Sequence, residues 1–195
     1  MHDAELILLA GGSSSRMGTD KLRLRDASGR LLVERWFERL NWLLPPRLVL
    51  TPGATPPTEL AAWPVLHDAM SGEGPLRGVA TALAATATTW LVVVAVDTPG
   101  IGGPQIDWLL GRRPADPSAR LWMTRRPSGI EPFPLLIHRD MTGPVAARLH
   151  AARRSLHDLA DERLARVADA PADWPPAVWQ NLNRPEDLTA YLSPG

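Results

Sequence analysis

A short segment near the start of the chain combines glycines, which have no side chain, with positively charged residues. The apolar run Ala4 to Ala10 stops at Gly11 and Gly12, and Arg16 and Lys21 follow closely. Glycines let backbone N–H groups approach a ligand, and exposed amides beside two cations can bind a polyphosphate. The spacing is neither that of a Walker A loop nor G-x-G-x-x-G. We interpret the segment as a phosphate-binding loop; a flexible Gly/Ser turn with solvated charges is the alternative.

Asp97 follows the most apolar segment of the chain and is the candidate metal ligand. The run Trp90 to Val96 is rich in valine and wholly apolar, which predicts a buried strand. A carboxylate at its end, beside a bound triphosphate, would hold Mg²⁺, which takes one or two protein ligands together with phosphates. The alternatives are a turn or N-cap aspartate and an aspartyl-phosphate nucleophile. Pro99 argues against the nucleophile, because it stands where a companion acid would be.

Two further polar residues, Thr51 and Asp68, stand at the ends of other short apolar segments. Asp68 opens the glycine-rich stretch DAMSGEGPLRG, which leads into an alanine-rich helical pattern. We expect Gly74 and its neighbours to form a wall for a planar base and Asp68 to reach a sugar hydroxyl. The alternative is a loop that only connects a strand to a helix.

Composition bounds the class of protein. The chain has 195 residues, with Lys plus Arg and Asp plus Glu both at 21, so its formal net charge is zero. A binder of duplex nucleic acid usually carries a basic excess, and no apolar run approaches the roughly 20 residues of a membrane span. The absence of cysteine excludes disulfides and thiolate chemistry. With no signal-peptide pattern, we expect a cytoplasmic protein without a nucleic-acid or membrane partner.

Apolar periodicity predicts alternating strands and helices along the chain. Strands are expected over 4–10, 47–51, 63–68, 90–96, 120–125 and 132–138. Helices are expected over 31–44, 76–87, 143–164 (as one helix or two) and 184–192.

This alternation predicts a Rossmann-like, mainly parallel sheet with helices on both faces, formed by one domain spanning 1–195. Ligands of such sheets bind beyond the carboxyl ends of the strands. The glycine loop, Thr51, Asp68 and Asp97 all fall at that edge. We therefore expect them to form one site.

Four motifs in order, LAGGSSSRMGTDK, GPLRG, VAVDTP and NLNRPEDL, resemble those of the molybdenum cofactor guanylyltransferase family. The first motif is highly specific, and the resemblance covers the chain from end to end. It implies a three-layer α/β/α fold and Mg²⁺-dependent transfer of GMP from GTP to molybdopterin, with release of pyrophosphate. LAGG and DTP favour guanine over the related cytidylyltransferases. Other cofactor-synthesis or molybdoenzyme-maturation proteins are the partners that this resemblance suggests.

The resemblance also assigns residues. Lys21, Arg16 and Asp97 would be catalytic, Asp97 as the Mg²⁺ ligand, and Asn181 and Asn183 would face the acceptor. The nucleotide would contact Leu9, Ala10, Gly11, Gly12, Lys21, Thr51, Asp68, Gly74 and Asp97. The N-terminal half would thus bind the nucleotide and the C-terminal half the acceptor.

Two positions depart from the family pattern. Thr51 stands where the family often has Asn. Glu131, followed by Pro132, stands where Gln or His is common. The second departure places a carboxylate where an anionic acceptor is expected.

The proposed chemistry needs no general base, since a phosphate monoester has a second pKa of about 6 and is already an oxyanion at neutral pH. The work is to bring two anions together and to neutralise the leaving pyrophosphate. Two alternatives stay open: a nucleotidyltransferase that uses CTP or another phosphorylated acceptor, and a non-catalytic nucleotide-binding accessory protein.

The tryptophans are interpreted first as packing residues. Trp36, Trp90 and Trp122 fall within predicted elements and are expected in or near the core. Trp174 and Trp179 flank PPAV in a late loop. Packing is favoured for this pair as well, with a place in the acceptor pocket as the alternative.

Overall fold

The fold is a seven-stranded sheet with helices on both faces, seen in a computed structural model that describes residues 3–11, 20–40, 42–70, 72 and 74–192. The strands are β1 (Ala4–Leu9), β2 (Arg47–Leu50), β3 (Val65–His67), β4 (Trp90–Ala95), β5 (Leu121–Arg126), β6 (Gly129–His138) and β7 (Ala165–Asp169). The helices are α1 (Leu32–Leu40), α2 (Pro75–Ala85), α3 (Gly103–Leu110), α4 (Thr142–His150) and α5 (Pro185–Leu192). Within these ranges no helix is long and apolar enough to cross a membrane.

The strand order is β3-β2-β1-β4-β6-β5-β7. β3, β2, β1 and β4 are parallel neighbours, β6 is antiparallel to both β4 and β5, and β7 is parallel to β5. The carboxyl ends of six strands therefore share one edge of the sheet. The prediction of a mainly parallel α/β sheet is confirmed.

Two apolar layers hold the sheet between its helices. On one face, Trp36 of α1 and Ile106 of α3 pack against Leu8 and Val94 of the central strands. On the other face, α2 and α4 cover the alternate side chains of the same strands, among them Ile7. The central strands are buried on both sides, which is why they are apolar throughout. Trp36, Trp90 and Trp122 are buried, as predicted.

α1 is shorter than predicted. It ends at Leu40, whereas the pattern predicted a helix through residue 44. Pro45 and Pro46 favour extended backbone before them, and Leu43 and Leu44 are exposed. The apolar side chains that continue the pattern thus have no layer to pack against.

The predicted helical region 143–164 is also wrong in part. α4 ends at His150, and a short 3-10 helix (His157–Asp161) follows after a break. Ala152 has a φ of 56°, a left-handed conformation that ends a helix.

Two elements were not predicted. α3 begins at Gly103 with Pro104 in its first turn, so its start has the composition of a loop. β7 has one buried residue, Ala165, followed by three partly exposed residues and the exposed Asp169. It has no regular alternation and carries Arg166 and Asp169, so the sequence showed no strand pattern there.

Candidate functional site

A pocket of about 250 Å³ lies at the carboxyl ends of β1 and β4. Six of the predicted nucleotide-binding residues line it: Leu9, Ala10, Gly11, Lys21, Gly74 and Asp97. The remaining wall includes Pro75 at the start of α2 and Phe133 of β6. The parallel strands thus bring together residues from distant parts of the chain, as expected for this kind of sheet.

At two positions of the pocket wall, Gly11 and Gly74, a larger residue would clash or be strained. A Cβ on Gly11 would lie 3.2 Å from the backbone nitrogen of Thr51 and 3.3 Å from its Cγ2. Gly74 has a φ of 72°, which L side chains rarely adopt, and it precedes the first turn of α2. Both positions keep backbone, rather than side chains, at the surface of the pocket.

Lys21 connects three segments of the site. Its Nζ donates to Asp97 Oδ2 at 2.9 Å and to Asn183 Oδ1 at 3.0 Å. These partners are 76 and 162 residues away along the chain. The side chains of Lys21 and Asp97 are 15% and 29% exposed. This cation therefore lies in a partly shielded position where its charge is weakly screened by water.

A short 3-10 helix (Lys21–Arg23) positions the ammonium group. Asp20 accepts a hydrogen bond from the backbone N–H of Leu22 at its start, and Leu22 itself is buried. Lys21 is also the only lysine in a chain whose other Lys/Arg residues are all arginines. A lysine provides a compact point charge, whereas arginine provides a planar fork.

Asp97 is held from two sides. It lies in the turn after β4, where Thr98 donates from both its N–H and its hydroxyl to the carbonyl of Ala95. The carbonyl of Asp97 accepts from Leu182 N–H at 2.8 Å. The late segment that carries Asn183 is thereby attached to the metal-ligand candidate.

Asp187 was not predicted and has a positioning role. One of its carboxylate oxygens accepts from the N–H groups of both Asn183 and Arg184 at 2.8 Å. It belongs to the first turn of α5, where an acidic side chain is stabilised by the helix dipole. The sequence feature that could have indicated this role is the acidic pair Glu186 and Asp187 just after Pro185, which is typical of a helix start.

Asp97 fits the kind of Mg²⁺ site that substrate phosphates complete. Among the described residues no group of three or more metal-ligating side chains is present. Mg²⁺ commonly takes one or two carboxylates and fills its other positions with water and phosphates. Asp97 alone, at the edge of a pocket for a phosphate chain, satisfies that requirement.

Other predicted residues lie apart from this pocket or outside the described ranges. Thr51 packs against Gly11, and Asp68 accepts a hydrogen bond from Thr81 at 2.6 Å, but neither lines the pocket. Asn181 is exposed and does not line it. The predictions for Gly12 and Arg16 lie outside the described residues.

Glu131 is not an isolated negative charge. It pairs with Arg126 across the β5–β6 turn, and its side chain is 19% exposed. The expected repulsion of an anionic acceptor is therefore offset by an adjacent guanidinium.

A mainly parallel sheet with a glycine-lined pocket at its carboxyl edge defines an α/β nucleotide-binding protein. Residues 6–169 match the family model described as MobA-like NTP transferase domain. The chain belongs to this family and is a nucleotidyltransferase.

Named relatives agree with this assignment. A "Probable molybdenum cofactor guanylyltransferase" of Opitutus terrae is 33% identical over 189 residues, covering 92% of this chain and 90% of the relative. One of Deinococcus radiodurans is 32% identical, covering 96% and 93%. The crystal structure of "Molybdopterin-guanine dinucleotide biosynthesis protein A" from Archaeoglobus fulgidus superposes with a TM-score of 0.71 at 19% identity, covering 96% of each chain.

Proposed function

We propose that this nucleotidyltransferase transfers GMP from GTP to the phosphate of molybdopterin, with Mg²⁺. The observation that carries the proposal is the contact of Lys21 with both Asp97 and Asn183 beside the Leu9–Gly11 backbone. The choice of GTP and molybdopterin as substrates comes from the two relatives, each named "Probable molybdenum cofactor guanylyltransferase". A cytoplasmic location stays a prediction from the sequence.

The pocket would bind the nucleotide through backbone and charge. Leu9, Ala10 and Gly11 line the space that would receive the phosphate chain. The N–H of Ala10 donates to the carbonyl of Val49, so the glycine that follows is the position at which backbone would approach the phosphates. Lys21 would exchange its contact with Asp97 for phosphate oxygens and keep its contact with Asn183. Arg16 and Gly12 are proposed to act in the same loop. Thr51 and Asp68 are proposed to contact the nucleoside part.

The reaction is an in-line displacement at the α-phosphorus. An oxygen of the acceptor's phosphate forms a bond to that phosphorus while the bond to the bridging oxygen of the pyrophosphate breaks. The electron pair leaves with the pyrophosphate, so no proton needs to be moved. Lys21 lowers the barrier by stabilising the negative charge that develops on the phosphates.

Asp97 would hold Mg²⁺ in this reaction. The ion, when bound, supplies Lewis-acid polarisation and charge neutralisation at the phosphates. Asp97 must then release Lys21, so the ammonium and the metal-binding carboxylate become available together. Asn183 would retain Lys21 near the phosphates.

Calorimetric titration of GTP, CTP and ATP, with and without Mg²⁺, tests the proposal. We expect Mg²⁺-dependent binding selective for GTP, at least tenfold weaker in Asp97→Asn and unchanged in Asp161→Asn, a control at an exposed carboxylate. Selective binding of CTP would transfer the protein to the cytidylyl class. No binding of any of the three would contradict the proposal.

The single lysine allows a second test that does not need turnover. Pyridoxal 5′-phosphate followed by borohydride labels lysine amines, and peptide mapping separates Lys21 from the N-terminal amine. GTP with Mg²⁺ should protect Lys21 from labelling. Equal labelling with and without nucleotide would place the phosphates elsewhere.

A further inference from the structure

A second, larger cleft lies at the carboxyl ends of β5 and β7. Its volume is about 700 Å³, within the range of small-molecule sites. It is bounded by the β5–β6 turn, by the segment after β7, and by a 3-10 helix (Pro176–Trp179). Its side chains combine two arginines with two tryptophans, which suits a planar ring with polar edges better than a simple anion.

The tryptophans belong to a ladder of rings that is held at both ends by arginines. Arg112 lies over the ring of Trp108 at 4.7 Å, and Trp108 contacts Trp174 edge-on at 5.1 Å. Trp174 and Trp179 are 5.6 Å apart with a 41° tilt, and Arg126 lies 5.8 Å from the ring of Trp179. Such a ladder orients the rings before any ligand arrives, which lowers the entropy cost of binding.

The charges of the cleft are paired. Arg126 donates from Nε to Glu131, and Arg125 lies 3.6 Å from Asp169. Glu131 thereby holds the guanidinium beside the ring of Trp179 instead of repelling an incoming group. A cleft with balanced charge and aromatic walls does not favour a nucleic-acid backbone, because that needs a basic excess.

The cleft adjoins the nucleotide pocket along β6. Glu131, the partner of Arg126, and Phe133, which lines the pocket, are two residues apart in β6. The segment that follows Asp97 also packs closely on the 3-10 helix that carries Trp179, since a Cβ on Gly100 would overlap the carbonyl oxygen of Ala177. The pocket and the cleft thus lie along one edge of the sheet, with β6 between them.

We infer that Trp174, Trp179 and Arg126 receive the planar ring of the acceptor, while its phosphorylated arm extends along β6 toward Lys21 and Asp97. The inference rests on the proposed function, which requires an acceptor with a phosphate at one end and, for molybdopterin, a fused pterin ring at the other. Trp179 and Arg126 then determine acceptor specificity. Glu131 is a positioning residue that acts through Arg126.

Direct binding of a fluorescent pterin tests this inference without turnover. The probe is 6-hydroxymethylpterin monophosphate, whose emission is quenched when it stacks on tryptophan. Alanine at a stacking aromatic costs roughly 5- to 100-fold in affinity. We expect saturable quenching by the wild-type protein, at least tenfold weaker binding by Trp179→Ala and by Arg126→Ala, and recovery to within threefold in Trp179→Phe.

The controls separate this inference from the proposed function. Trp63→Phe changes a tryptophan that packs on Phe37 away from the cleft, and it should leave pterin binding unchanged. The affinity for GTP, measured on the same variants, should stay within twofold of wild type. Failure of GTP binding with pterin binding retained would overturn the proposed donor but not the cleft. Absence of saturable quenching in wild type, or unchanged affinity in Trp179→Ala, would overturn the inference.

Discussion

The pocket at β1 and β4 and the cleft at β5 and β7 are built by different means. The pocket is small, lined mostly by glycine and apolar residues, and contains one charged contact, between Lys21 and Asp97. The cleft is nearly three times larger and is formed by aromatic and arginine side chains. The first arrangement suits a phosphate chain, and the second suits a planar ring. The comparison indicates that donor and acceptor affinity can be changed separately.

The largest expected effect tests whether charge at the pocket drives catalysis. Lys21→Ala should lower turnover about 10³-fold, because loss of one preorganised group that stabilises developing charge has effects of this size. Lys21→Arg should not restore activity, since the guanidinium is longer and planar. The measurement is initial rate of pyrophosphate release at saturating GTP.

Arg23→Ala is the matched control for that substitution. Arg23 lies in the same 3-10 helix, and its side chain is 49% exposed in its contact with Asp20. Its replacement should change the rate less than threefold. Wild-type turnover in Lys21→Ala would show that the pocket is not the catalytic centre.

Gly100→Ala tests the backbone contact between the two regions. The new Cβ would overlap the carbonyl of Ala177, so the 3-10 helix that carries Trp179 must shift. Overpacking of this kind costs about 2–3 kcal/mol of the free energy of unfolding. Pterin affinity should fall while GTP affinity is largely kept, as measured by urea denaturation and by the two binding assays.

Gly143→Ala is the control for Gly100→Ala. A Cβ there meets no atom within 4 Å, and the residue lies in α4. The free energy of unfolding should stay the same or rise by up to about 1 kcal/mol. Equal stabilities of the two variants would mean that Gly100 does not couple the regions.

A smaller expected effect on kcat/KM distinguishes Asn183 from Asn181, the two asparagines of the motif NLNRPEDL. Asn183 accepts from Lys21, and a hydrogen bond to a charged group contributes about 1.5–3 kcal/mol. Asn183→Ala should therefore reduce kcat/KM about tenfold or more, and Asn181→Ala less than threefold. A larger loss in Asn181→Ala would instead assign the acceptor contact to Asn181.

The pocket was more predictable from the sequence than the cleft. Gly11 and Asp97 stand at the ends of strongly apolar segments, and a parallel sheet brings such ends to one edge. Lys21 was predicted from the motif that begins at Gly11. The mainly parallel sheet and the presence of helices on both faces followed from the same periodicity, whereas the strand order and α3 did not.

The cleft could not be predicted from local sequence patterns, because its position depends on how distant strands pair. It needs β6 to run antiparallel and β7 to be a strand, yet β7 is only five residues long and carries two charged side chains. Trp174 and Trp179 were interpreted as packing residues. They do pack on each other, but they also line the cleft, because Arg126 and Trp108 hold them from both sides.

The smallest effect concerns the opposite edge of the sheet, where neither substrate is proposed to bind. His138 ends β6 opposite Trp90 and packs edge-on against its ring at 4.8 Å. Burial lowers the pKa of His138 below 6.5, opposed by the nearby Asp140 and assisted by Arg120 and Arg139. Its Nδ1 accepts from the N–H of Asp140 at 3.1 Å, which also requires the neutral ring.

The sign of the pH effect follows from this shift. The unfolded chain binds a proton at His138 more readily than the folded protein does. The contribution of His138 to stability is therefore fully present above its unfolded pKa of about 6.5 and is lost as the pH falls through the lower folded pKa. The unfolding free energy of wild type should drop more between pH 7.5 and 5.5 than that of His138→Gln, whereas exposed His157→Gln should match wild type. GTP affinity, compared between wild type and His138→Gln, should be equal at each pH. If His138→Gln changed that affinity, the two edges of the sheet would be coupled, and the separation between pocket and cleft would need a longer-range explanation.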